Sequence, residues 1–112
     1  ETALELLDEV RSSGLQPDVI TYNSAISACE KSGQWERALT LLDRVRSSAF
    51  VEPDVVTYNA VISACGKGEQ WEKALAVLDE LLSSGIEPTV ITYSAAISAC
   101  DKGGQWEKAL AL

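Results

Sequence analysis

The stretch Thr57-Tyr58-Asn59-Ala60-Val61-Ile62-Ser63-Ala64-Cys65-Gly66-Lys67-Gly68-Glu69-Gln70-Trp71-Glu72-Lys73-Ala74-Leu75 decides the fold, because the chain carries it three times. The first copy runs from Thr21 to Leu39 and the last from Thr92 to Leu110. Trp35, Trp71 and Trp106 stand 36 and 35 residues apart. The same two steps separate Cys29, Cys65 and Cys100, Tyr22, Tyr58 and Tyr93, and Pro17, Pro53 and Pro88. A period in the thirties without a strand pattern belongs to stacked helix pairs, none of which can bury its apolar face without a neighbour. The sequence therefore predicts an all-α chain, an α-solenoid of antiparallel helix-turn-helix repeats.

Composition narrows the function. The 112 residues are 46% apolar, with no run long enough to cross a membrane and no secretory-leader pattern, which reads as one soluble, core-forming unit. The chain has no methionine, begins inside one helix and stops inside another, and reads as a segment of a longer array, since solenoids close their ends with atypical repeats. Its three cysteines occupy one equivalent position per repeat without C-x-x-C spacing, the pattern of small residues packed between helices in a reducing compartment. Histidine, the commonest general base, is missing, and Asp79-Glu80 falls on an exposed helix with no phosphate-cradling loop nearby. Neither catalysis nor a cofactor or metal is expected. The net charge of -8 and pI near 4.4 run against the basic face that phosphate contacts need.

Along the chain, residues 1–18 read as the second helix of a truncated repeat, with Leu4, Leu7 and Val10 inward and Gly14 supplying the left-handed closing residue. Pro17-Asp18 then stops one helix and starts the next, with Asp18 as N-cap. Full repeats follow over 19–54 and 55–89, and a truncated one over 90–112. The first helix of the first full repeat is expected over Ile20–Lys31, with Tyr22, Ala25, Ile26 and Cys29 in the core and Ile20, Asn23, Ser24, Ser27 and Lys31 on a solvent-facing stripe. After a turn at Ser32-Gly33, a second helix is expected over Gln34–Ser48. It points Trp35, Ala38, Leu39, Leu42 and Val45 inward, and Glu36, Arg37, Asp43 and Arg44 outward into local ion pairs. The linker at 47–53 is one residue longer than its counterpart at 83–88, which accounts for the 36-residue step.

The pattern V-x-T-Y-N-x-x-I-x-x-C-x-K-x-G-x-x-E-x-A-L, with P-D closing the repeat, resembles the pentatricopeptide repeat over the whole chain: half a repeat, two full ones and most of a third. The S-A-C-x-K-x-x-Q-W-E-x-A-L flavour resembles plant and algal arrays. The related tetratricopeptide repeat carries its Trp in the first helix, whereas here Trp opens the second. The resemblance implies a right-handed superhelix, its first helices lining the concave side. It also implies binding of single-stranded RNA in an organelle, chloroplast or mitochondrion, one base per repeat, for RNA processing, stability or translation.

It further implies that the residue after the Tyr and the last residue of the repeat select the base. Those are Asn23 with Asp54, which goes with uracil, and Asn59 with Thr89, which lacks the carboxylate and goes with a pyrimidine. Ser94 and Asp18 are halves of two further pairs. An Asn amide offers a donor and an acceptor in one plane, matched to the edge of an unstacked pyrimidine, and a nearby carboxylate can orient it. None of these residues has an evident packing role. By the same resemblance Ile20, Val56 and Ile91 sandwich the base, and Lys31, Lys67 and Lys102 lie near phosphates. The alternatives are that the aliphatics staple each helix start to the preceding repeat and that the lysines simply favour a helix C-terminus. The Trp set lies on the apolar stripe and reads as core.

Two or three bases at about 1–3 kcal/mol each would hold RNA weakly, so a competing partner class stays open. In that reading the solenoid grips protein subunits of a large organellar assembly, which suits the acidity and the recurring Glu36, Glu72 and Glu107 of the second helices.

Overall fold

The structure, a computed structural model, describes residues 3–14, 18–49 and 51–105, with the side chains of Ala3 and Leu4 left aside. The readings of the Leu4 side chain, of Pro17, and of the helix opening at Trp106 with Glu107 concern positions outside the described residues. All six described elements are helices: α1 (Ala3–Ser12), α2 (Val19–Lys31), α3 (Trp35–Ser47), α4 (Val55–Lys67), α5 (Trp71–Ser83) and α6 (Val90–Lys102). The expected first and second helices thus appear as α2 and α3, within one residue at each end.

Local sequence explains each boundary. Asp18, Asp54 and Thr89 sit in extended backbone ahead of α2, α4 and α6, and each side chain accepts the amide N–H three residues on, from Thr21, Thr57 and Thr92. In α4 and α6 the threonine hydroxyl accepts the cap's own N–H in return, a reciprocal capping box. The same helices end alike. Gln34, Gln70 and Gln105 send their N–H back to the carbonyls of Cys29, Cys65 and Cys100, at 2.9, 2.8 and 2.7 Å. That closure needs a left-handed residue just before the glutamine, supplied by Gly33 and Gly104 at φ 69° and 74° and by Glu69 at φ 60°. The chain then enters the second helix at once, so each pair is antiparallel.

The helices form two layers. α2, α4 and α6 lie side by side in the first; α1, α3 and α5 make the second, α3 and α5 each resting on the first-layer helices before and after them and α1 resting on α2. Each pair meets only its neighbours, which gives an elongated body of 48 × 30 × 18 Å. Tyr22, Ala25, Ile26 and Cys29 are buried as the helical spacing requires, together with Ala38, Leu42 and Val45.

Three details differ from expectation. Leu41 is also fully buried, because a second-layer helix sits in the groove between two first-layer helices and needs a wider apolar stripe. The ion pairs are not all local. Arg44 reaches Asp8 at 3.1 Å and Arg46 reaches Glu80 at 2.6 Å, since residues one period apart face each other on stacked helices, whereas Arg46–Asp43 lies within a helix. Trp35 and Trp71 are half-buried rather than central. Trp35 and Trp71 lie over Gly68 and Gly103 in the next repeat's turn, and Lys73 stands 5.6 Å from the Trp35 ring centre.

Candidate nucleic-acid interface

The first-layer helices turn one face away from the second layer, and on that face the α2/α4 junction opens a groove of about 630 Å³. It is lined by Ile20, Asn23, Ser24, Ser27, Ala28, Lys31, Asp54 and Val56. Five of the residues singled out in the sequence, Ile20, Asn23, Lys31, Asp54 and Val56, therefore share one surface although they come from two repeats. Ile20, Val56 and Ile91 are 71%, 54% and 66% exposed, so the preceding repeat does not cover them, as a staple would require.

The pairs expected to select the base meet across the junction. Asn23 on α2 donates from Nδ2 to Asp54 Oδ1 at 3.1 Å, and its Oδ1 accepts from the Thr57 hydroxyl at 2.6 Å. One repeat on, Asn59 Nδ2 donates to the Thr89 hydroxyl at 3.4 Å and Asn59 Oδ1 accepts from Thr92 at 2.5 Å. Asp54 and Thr89 are at the same time the N-caps of α4 and α6. The expectation that these residues lack a packing role is therefore overturned: they join one repeat to the next and start its first helix. Burial works against the Asp54 carboxylate, but hydrogen bonds led by the Thr57 N–H and the Asn23 amide outweigh it and hold its pKa below the usual value. Asp18 caps α2 in the same way, and the Thr21 N–H and hydroxyl lower its pKa too. Ser94 is exposed on α6 in the register of Asn23 and Asn59.

The three lysines are not equivalent. Lys67 Nζ lies 2.9 Å from Glu30 Oε2, while Glu30 Oε1 accepts from Ser63 at 3.0 Å. The hydrogen bond from Lys67 holds the Glu30 pKa down against partial burial, with Ser63 assisting. Lys31 and Lys102 are exposed at the ends of α2 and α6. Gly66 stands on α4 where Glu30 stands on α2, and there α4 and α6 pack so closely that a Cβ would come 3.0 Å from Ala99 Cβ. The helix contact, rather than a carboxylate, occupies that place, so Lys102 has no counterpart of Glu30.

Sequence reasoning passed over Thr57, Thr92, Ser63 and the pairing of Glu30 with Lys67. The threonines could have been found from their fixed position three residues after Asp54 and Thr89, the spacing of a capping box. Glu30 could not, because its partners lie one period away.

Groove, caps and stacked pairs define the molecule as a helical-repeat solenoid with a polar groove on its first-layer face. The profile described as PPR repeat family matches residues 53–102, and the one described as Pentatricopeptide repeat domain matches residues 5–68. The chain belongs to the pentatricopeptide repeat family. A curated relative, the chloroplastic pentatricopeptide repeat-containing protein 10 of Zea mays, is 39% identical over 49 residues, which is 43% of this chain and 6% of that protein. The crystal structure of the pentatricopeptide repeat protein PPR10 from maize superposes with a TM-score of 0.86 at 31% identity, over 96% of this chain and 15% of that one. PPR10 in complex with an 18-nt psaJ RNA element gives 0.81 at 32% identity, over 95% of this chain and 16% of that one. The chain thus spans a small part of the relatives it matches.

Proposed function

We propose that this chain reads single-stranded RNA, one base per repeat, with the repeats over 19–54 and 55–89 as its complete reading units. The observation that carries the reading is the α2/α4 groove, where an amide–carboxylate pair lies between two exposed aliphatic side chains beside a lysine. A base held between Ile20 and Val56 would meet the Asn23 amide with its pairing edge, and its phosphate would lie toward Lys31. Asn23 with Asp54 selects uracil, Asn59 with Thr89 accepts a pyrimidine between Val56 and Ile91, and Ser94 and Asp18 each contribute half of a further unit. Lys67 and Lys102 continue the phosphate track, Lys67 with its charge countered by Glu30. The likeness to PPR10, solved in complex with an RNA element, supports this reading. An organellar setting, in chloroplast or mitochondrion, belongs to the same reading and rests on the chloroplastic maize relative.

The test is binding of U-rich and A-rich single strands by the longest array that carries these repeats, at low and moderate salt, with and without Asn23→Ala. The expected result is salt-sensitive, U-preferring binding whose preference falls about 5- to 100-fold at one base position in the variant. An Asn23→Ala array with unchanged affinity and base preference refutes the assignment of that site.

The net charge of -8 favours one second reading, in which the concave face grips a protein subunit of an organellar assembly. Its mark would be no RNA binding at either salt.

A further inference from the structure

Thr57 and Thr92 are the polar side chains fully buried among the described residues, at 0% exposure. Capping alone does not explain their hydrogen bonds. Thr21 shows what the hydroxyl does when no asparagine reaches it: it donates to its own cap, Asp18 Oδ1, at 2.9 Å. Thr57 has the same option, Asp54 Oδ1 at 3.0 Å, but it also lies 2.6 Å from Asn23 Oδ1. A hydroxyl has one proton, and two oxygens cannot stay 2.6 Å apart without it, so the proton goes to Asn23.

This fixes the amide. In the opposite orientation Asn23 Oδ1 would face the Asp54 carboxylate at about the distance where Nδ2 now donates, two acceptors in contact with no proton between them. The carboxylate therefore leaves a single donor–acceptor order on the part of Asn23 that faces the groove, and the Thr57 hydroxyl, donating to the amide oxygen, holds the side chain in that place. The second unit differs. Thr89 has a hydroxyl in place of the carboxylate and can donate or accept, and Thr92 can do the same. If Asn59 turns over, Thr89 donates to its oxygen and its nitrogen donates to Thr92, with every group still satisfied.

The two pyrimidines present opposite orders at the edge concerned: uracil has an acceptor at O4 and a donor at N3, cytosine a donor at N4 and an acceptor at N3. We propose that Thr57 is a positioning residue for base selection, its hydroxyl and Asp54 together holding Asn23 in the order that takes uracil and refuses cytosine, whereas the Asn59–Thr89–Thr92 unit turns freely and takes either. The reading unit is then three residues spread over two repeats. This inference rests on the RNA reading above.

The experiment measures affinities of the RNA-binding array for strands that carry U or C at the position where Asn23→Ala acts. For wild type the U:C ratio is expected at about tenfold or more, in line with a well-made bidentate contact. Thr57→Val, which keeps the shape and removes the hydroxyl, is expected to bring the ratio within about threefold. Thr57→Ser restores it, and the ratio at the base read by Asn59 stays near one throughout. If Thr57→Val does not fold, as judged by circular dichroism, the second unit carries the test. Thr89→Asp should raise its U:C ratio about tenfold, and adding Thr92→Val should remove that rise. A folded Thr57→Val array with the wild-type ratio, or a Thr89→Asp rise that survives Thr92→Val, overturns the proposal and leaves the RNA reading standing. Absence of RNA binding by the wild-type array overturns both.

Discussion

Replacing Gly68 by alanine tests the contact that links one repeat's second helix to the next repeat's turn. Gly68 has φ -84° and ψ 7°, a conformation any residue adopts, so its backbone does not require glycine. Space does. A Cβ there would stand 2.1 Å from Trp35 Cδ1, 2.7 Å from Cγ and 3.0 Å from Nε1. The indole is a rigid ring on the first residue of α3 and carries Lys73 over its face, so it must swing as a whole or push the turn away. Overpacking of this kind costs about 1–3 kcal/mol. Losing a glycine from the unfolded chain returns about 0.4–1 kcal/mol. The net expectation is a loss of roughly 1–2 kcal/mol, read by urea unfolding followed by circular dichroism. The decisive comparison is the same change made on a Trp35→Ala background. With the ring gone only the entropic benefit remains, and Gly68→Ala should become stabilising by about 0.4–1 kcal/mol. Ser32, which holds this place in the first turn, already carries a Cβ, and among the described residues no tryptophan lies over it. A Gly68→Ala loss of the same size with and without Trp35 would refute the contact as its cause.

Three further outcomes follow from particular contacts. Glu69 sits at φ 60°, where Gly33 and Gly104 sit in the other turns, so Glu69→Gly should stabilise the chain by about 0.5–1 kcal/mol in the same unfolding assay. Tyr58 donates to Glu80 at 2.8 Å, and burial first, then Glu80, pushes its pKa up to about 12. The folded chain therefore keeps a proton that the unfolded chain releases near its ordinary value. That contribution to stability is complete below the unfolded pKa and declines as pH rises from 10 to 12, and a Tyr58→Phe chain should lack this part of the alkaline loss. Glu30→Gln removes the partner of Lys67 and should raise affinity for single-stranded RNA several-fold at low salt, with a salt slope steeper by about 0.7, the value for one further phosphate neutralised on a single strand. Unchanged affinity would place Lys67 away from the phosphate track.

The fold was legible because its information is local and repeated. Tyr22, Ala25, Ile26 and Cys29 follow one helical face, and Gly33 marks the left-handed turn, both readable within a few residues. What escaped depends on the superhelical stacking, which brings residues about one period apart into contact. Arg44 with Asp8, Lys67 with Glu30 and Trp35 over Gly68 are all of this kind. Leu41 was missed for the same reason, since α3 packs against α4 of the following repeat as well as against α2. At the candidate site the residues were found by the family pattern, but their bonds to one another were not. The pattern names Asn23 and Asp54 as a pair without saying that they touch, or that Thr57 lies between them.

That contact bears on which residues the last position of a repeat can hold. Asp18, Asp54 and Thr89 each start a first-layer helix by accepting an amide N–H, and helix N-caps favour Asp, Asn, Ser and Thr at about 1 kcal/mol over alanine. On the proposed reading the same side chain also faces the amide of the preceding repeat, so it must cap and select at once. The short polar residues that do both divide by their protons. Asp accepts only, while Ser, Thr and Asn both donate and accept. An accepting cap forces the neighbouring asparagine into one order, and a two-way cap leaves it free. Base selectivity in this chain would then vary by exchange among residues that all begin a helix equally well, and the solenoid could change the sequence it reads at Asn23 or Asn59 without loosening the junction that holds its repeats together.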